Sequence, residues 1–234
     1  MRSLRRCLGR RLSTTRLVEV RLGPGGLSAW EQAGFHVDRM PSGERMLRIG
    51  TALDLCEDPS LASDDLGVTL ASLNEEATST SLDGIDARWV PTFVAEDLDR
   101  GTRSAHENGA IGVEAIVLST DDVDRTVAAC EGLGFELGSR VSPREGVDMA
   151  FFRRKHGVVL EVVGPGASFV DHARDGRTQI WGLTVTTSDL AHVEVADPWE
   201  ARPIRDAIQP NRQIMSMSTE KEGLKLAFIT PHHK

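Results

Sequence analysis

Apolar and polar positions alternate in short bursts along this chain, and the bursts recur in one order: a strand, a helix ending in glycine, then further strands. The clearest copy opens with Val113-Glu-Ala-Ile-Val-Leu118, which predicts a strand. Ser119, Thr120, Asp121 and Asp122 then offer oxygens for a helix cap, and Val123, Val127 and Cys130 set an apolar stripe at i, i+4 and i+7. Gly132 and Gly134 end that helix, and Phe135-Glu-Leu137 resumes an extended path. Met149-Ala-Phe-Phe152 and Val158-Val-Leu-Glu-Val-Val163, joined through Lys155-His156-Gly157, read as a hairpin. The unit is β-α-β-β-β.

A second copy lies upstream. Leu17-Val-Glu-Val-Arg-Leu22 predicts its strand, Gly26 to Phe35 a short helix, and Arg45 to Ile49 and Ala52 to Cys56 two more strands. Weaker copies open at Gly67-Val-Thr-Leu-Ala-Ser72 and Gly182-Leu-Thr-Val-Thr-Thr187, the last closing with Leu224 to Ile229. Repetition on this scale predicts an α+β chain of tandem βαβββ modules. The expected division is 1–16 as a presequence, 17–100 as a degenerate first pair of modules, 101–112 as linker and 113–234 as a second pair.

Charge changes the picture at the N-terminus. Residues 1–16 carry six arginines and no acid, with Leu4, Leu8 and Leu12 at i, i+4 and i+8. That is the pattern of a mitochondrial transit peptide, with a plastid or cytoplasmic location as the alternative. The rest of the chain holds 21 basic against 35 acidic residues, a net charge of −14. Such a body repels phosphate backbones, so no nucleic-acid partner is expected. No stretch has the roughly 18 consecutive apolar residues of a membrane-spanning helix, so no membrane partner is expected either. Cys7, Cys56 and Cys130 form no CxxC pair, and the last two fall on apolar segments where a thiol acts as a small hydrophobe. There is no GxxxxGK[ST], GxSxG, HExxH or GxGxxG motif and no tyrosine.

Val113 to Asp124, Gly132-Leu-Gly-Phe135, Gly157 to Pro165 and His106-Glu-Asn-Gly-Ala110, in this order and spacing, resemble the glyoxalase, bleomycin-resistance and extradiol dioxygenase-like proteins of the vicinal-oxygen-chelate (VOC) superfamily. The match is good over 111–165 and moderate over 17–57. The resemblance implies curved mixed sheets forming a cleft. It also implies a divalent metal held by ligands on the first and last strands of each module, and a lyase, isomerase or dioxygenase acting on a small organic molecule. A homodimer is compatible with it.

Carried over by position, the ligand set is largely missing. The first-strand place falls on Ala115, and its last-strand counterpart on Glu161; the last module gives Gly182 and Ala227, and the second gives Gly67. In the first module Asp54 takes the last-strand place, and Glu19 lies at or beside the first-strand one. Glu161 and Asp54 are therefore the candidate metal ligands, and Glu161 and His106 the candidate catalytic groups. Each has a plainer reading: Glu161 paired with Arg153 or Arg154, and His106 bonding within its loop. Glu19 is placed to pair with Arg21, and His232 to fray at the C-terminus. These readings leave open an enzyme, a metal-free binding or sequestering protein, and a non-catalytic scaffold subunit.

Overall fold

The computed structural model describes residues 15–41, 43–50, 53–62, 65–72, 79–91, 105–152, 158–166, 176–194, 199–219 and 225–232. The expected presequence lies outside these up to position 14, as do Arg153, Arg154, His156 and His233. Among the described residues no helix is long and apolar enough to cross a membrane.

The first sheet has seven strands. They are β1 (Arg16–Leu22), β2 (Asp38–Arg39), β3 (Arg45–Ile49), β4 (Leu53–Glu57), β5 (Leu66–Ser72), β6 (Ser79–Leu82) and β7 (Ile85–Pro91), ordered β2-β3-β4-β1-β5-β7-β6. Helix α1 (Ser28–Gln32) follows β1. β1 runs parallel to β4 and antiparallel to β5. One β-α-β-β-β module is thus joined edge to edge with a shorter second one. Arg16 already pairs with Ala71, so the folded body starts inside the segment expected to be presequence.

The second sheet repeats the plan more fully. Its strands are β8 (Ala110–Ser119), β9 (Leu137–Arg144), β10 (Val147–Phe152), β11 (Val159–Val163), β12 (Gln179–Thr187), β13 (Trp199–Ala201), β14 (Arg205–Asp206), β15 (Gln213–Thr219) and β16 (Lys225–Ile229). The order is β13-β15-β16-β12-β8-β11-β10-β9, with β14 also on β15. Ala110 pairs with Thr187, so β8 begins within the expected linker. Helix α2 (Val123–Gly132) forms where the capping pattern placed it: Asp122 accepts from the Arg125 N–H at 2.9 Å, and Val123, Val127 and Cys130 are buried. Gly134, at φ 89°, supplies the left-handed turn after it.

Each sheet has a core face, which joins the other sheet and both helices in one continuous cluster, and a far face turned away from it. Trp30 of α1 meets Trp199 edge-on at 6.4 Å, and Phe35 stacks on Phe228 at 6.0 Å. Such aromatic pairs contribute roughly 0.5–1.5 kcal/mol each beyond the area they bury. The hairpin tip between β6 and β7 ties the sheets a second time. Asp83, at φ 48°, accepts from Thr126 Oγ1 (2.5 Å), from Thr178 Oγ1 and from Arg125 Nε (2.9 Å). Burial pushes the Asp83 carboxyl up, but the Thr126, Thr178 and Arg125 bonds outweigh it and hold the group below the usual range.

Candidate functional site

The ladders fix which residues occupy equivalent places on the two far faces. β1 carries an extra residue at Val18, β8 extra residues at Ile111 and Glu114, and β12 one at Trp181, each a bulge in the pairing between modules. Counted from these bulges, the first-strand places are Glu19, Ala115 and Gly182, and the rungs two residues further on pair with Cys56, Glu161 and Ala227. In the second module the corresponding places are Gly67 and Arg88. Asp54 pairs with Glu19 itself, one rung short of the place it was expected to fill, and Cys56 stands there instead.

The first far face is packed with its own charges. Arg21 is 1% exposed and donates to Asp58 (2.9 Å), Asp86 (2.5 Å) and the Val68 carbonyl (3.2 Å). Its guanidinium lies over Gly67, where a Cβ would come within 2.7 Å of Nη2. Gly67 is thus the residue that admits Arg21. Glu19 does not pair with Arg21; it accepts from Thr69 Oγ1 at 2.8 Å. Asp54 is buried, with Arg48 Nε at 3.8 Å. Burial and the neighbouring Glu19 push the Cys56 thiol up, so it stays protonated.

The second far face is built differently. Val117, Met149 and Val163 are buried there with Phe151 and Trp181 packed on them. Glu161 lies beside this apolar patch, opposite Phe151 on one side and Val117 on the other. Its carboxyl is half-buried, and burial pushes its pKa up to about 7. The next rungs carry Ala115, Thr184, Ala227 and Ser216, a floor of short side chains. Gly182 belongs to this floor for a backbone reason, since a Cβ there would lie 2.4 Å from the Lys225 carbonyl oxygen.

Beyond the floor stands a polar group that motif reading missed. The β8 bulge turns Glu114 toward Thr186, whose hydroxyl donates to Oε2 at 3.4 Å. Arg212 Nη1 donates to Glu114 Oε1 at 3.2 Å, and His232 Nε2 lies 3.4 Å from the same oxygen. His232, expected to fray, is held in this cluster. No local motif marks Arg212, which follows Asn211 at φ 60° just before β15.

The candidate residues do not converge. Glu161 is on the second sheet and Asp54 on the first. His106 lies at the junction between sheets, where its Nδ1 accepts from the His36 N–H (3.1 Å) and its Nε2 donates to the Arg48 carbonyl (2.9 Å). Burial lowers its pKa, and both ring nitrogens are taken by backbone. Nor do the four places on either face fit a divalent ion. One set holds Glu19, Cys56, Gly67 and the cation Arg88, the other a single carboxylate. Among the described residues no group of three or more His, Cys, Asp or Glu side chains is disposed around one point.

The folded arrangement has counterparts among solved structures. A halotolerant catechol dioxygenase matches over 92% of this chain and 86% of its own, with TM-score 0.58 and 11% identity. A catechol 2,3-dioxygenase matches over 93% and 89%, with TM-score 0.58 and 14% identity. A xylose isomerase-like TIM barrel/4-hydroxyphenylpyruvate dioxygenase fusion protein matches over 95% of this chain and 50% of its own, with TM-score 0.61 and 11% identity. No protein-family model matches the chain, and no curated protein does. The chain has the fold of the vicinal-oxygen-chelate superfamily, with two pairs of modules in one polypeptide.

Proposed function

We propose that this VOC-fold protein binds a small organic molecule on the far face of its second sheet, and that Glu161 exchanges a proton with it. The observation that carries the reading is the state of Glu161: a half-buried carboxyl at the edge of an apolar patch, with burial as the cause of its raised pKa. A group titrating near neutrality supplies both protonation states at working pH, as a general acid or base requires. The neighbouring floor of Ala115, Gly182, Thr184 and Ala227 carries only short side chains. The reaction class that follows is proton transfer at carbon or oxygen, an isomerase- or lyase-type step, without the metal quartet. Import into mitochondria through residues 1–16 is part of the proposal, on the strength of their arginine-rich, acid-free composition.

A second reading, binding or sequestering without chemistry, is favoured by the short side chains at three of the four places on this face. One experiment separates the two. Carbon acids with a C–H next to a carbonyl are incubated with the protein in deuterated water and followed by NMR. The proposal expects deuterium incorporation that is lost in Glu161→Gln. Compounds that bind equally well to both proteins with no incorporation establish the binding reading, and a screen in which nothing binds sinks both.

A further inference from the structure

From the cluster at the other end of the floor we infer that the molecule bound on this face is a small organic acid, whose carboxylate is received by the Nη2 group of Arg212. The inference rests on the reading that the far face is a binding site, and names the class of ligand.

Arg212 is an unusual cation for a sheet surface. Its side chain is 1% exposed, and it is anchored at two of its three nitrogens. Nε donates to the Thr230 carbonyl at 2.7 Å, and Nη1 to Glu114 Oε1 at 3.2 Å, with His232 Nε2 3.0 Å from Nη1. Nη2 is buried and, among the described residues, has no hydrogen-bond partner. A guanidinium has five donors in a planar fork and no means of shedding its charge, so a buried amino group without an acceptor is a standing demand for one. The group that best meets it is a planar oxyanion, which takes charge-assisted bonds from such a fork. Glu114 already supplies one carboxylate from the protein, on a bulge that directs it to Nη1 and leaves Nη2 without an acceptor among the described residues.

Position gives the site its scale. Glu114 is three residues along β8 from Val117, the rung of Glu161, a separation of roughly 10 Å. The short side chains of Ala115 and Thr184 lie between. A molecule of metabolite size placed along this floor has its carboxylate at Arg212 and its reacting atom near Glu161. Nothing covalent is asked of Arg212; it binds and orients.

The test is calorimetric binding of paired probes to the full chain: benzoate, phenylacetate and succinate against their uncharged amides. Carboxylates are expected to bind and amides to bind at least about tenfold more weakly. Arg212→Gln is expected to lose that preference. Because a buried arginine variant can fail to fold, Glu114→Gln is the second variant. Removing the resident carboxylate while keeping its shape is expected to raise carboxylate affinity, a gain that misfolding cannot produce. Equal binding of acids and amides, no binding of any acid, or unchanged or weakened binding in Glu114→Gln overturns the inference. Glu161-dependent deuterium exchange of uncharged compounds leaves the functional reading standing in each of those cases.

Discussion

Glu161 lies opposite Val117 in the parallel β8–β11 ladder, two residues beyond the rung where Ala115 meets Val159. The offset places the carboxyl against Phe151 and Val117, with apolar neighbours on both adjacent strands. Desolvation without compensation raises a carboxyl's pKa, and here the rise makes the charged form unfavourable in the folded state.

A pH-dependent stability follows. Unfolded, Glu161 loses its proton near 4.5; folded, near 7. Between those values the folded state holds the extra proton, so this group's contribution falls as pH rises and reaches its full penalty above about 7. Glu161→Gln is expected to be the more stable protein at pH 8, by about 2–3 kcal/mol, with the difference gone at pH 4. Denaturant melts at both values measure it, and equal stability at pH 8 counts against the account.

Arg21 and Asp58 give the opposite sign. Burial pushes the Asp58 carboxyl up, but two bonds from Ser60 and those from Arg21 and Arg88 bring it down to about 2. Its stabilisation is present above about 3.8 and is lost as pH falls toward 2. Arg21→Ala strands Asp58 and Asp86 beside an emptied guanidinium site, and is expected to destabilise the chain by about 3–5 kcal/mol at pH 7. The loss should shrink as pH falls toward 2, where Asp58 gains its proton. Urea melts of the two proteins across pH 2–7 read both effects.

Asp83 holds the β6–β7 tip to α2 and Thr178. Asp83→Ala removes the acceptor of three bonds at a positive φ, and is expected to destabilise by about 2–3 kcal/mol. Asp83→Asn tolerates the backbone angle and keeps one acceptor, so its thermal midpoint should lie between alanine and wild type. An alanine variant as stable as wild type would remove the hairpin tip from the inter-sheet tie.

Much of this architecture is written in the sequence, and the far faces are not. The α2 cap at Asp122, its buried stripe and the glycine that ends it are local features, read without knowing any partner. The opening strands were found for the same reason. Bulges and register are set by pairing between strands, so the sequence did not tell that Glu114 turns toward Arg212, or that Asp54 stands opposite Glu19 and Cys56 opposite Arg21. The β6–β7 hairpin and β15 also went unread. Arg21 looked like a neighbour for Glu19 because both share a face, but Asp58 and Asp86, distant in sequence, hold it.

Gly182 is where the missing-ligand and backbone explanations diverge. If the position had merely lost a ligand, a side chain would be accepted. The Lys225 carbonyl at 2.4 Å from a built Cβ says otherwise. Gly182→Ala is expected to destabilise by about 1–3 kcal/mol through a shift in the β12–β16 pairing. Thermal unfolding decides this, and an unchanged midpoint restores the first explanation.

The account stands or falls on the Glu161 carboxyl, and site-specific NMR of carboxyl-labelled protein observes it directly. Titrated from pH 4 to 9 by its carboxyl carbon shift, with Glu161→Gln assigning the resonance, Glu161 should show a midpoint near 7. A midpoint near 4.5 would mean an ordinary solvated side chain, and would contradict the role given to it.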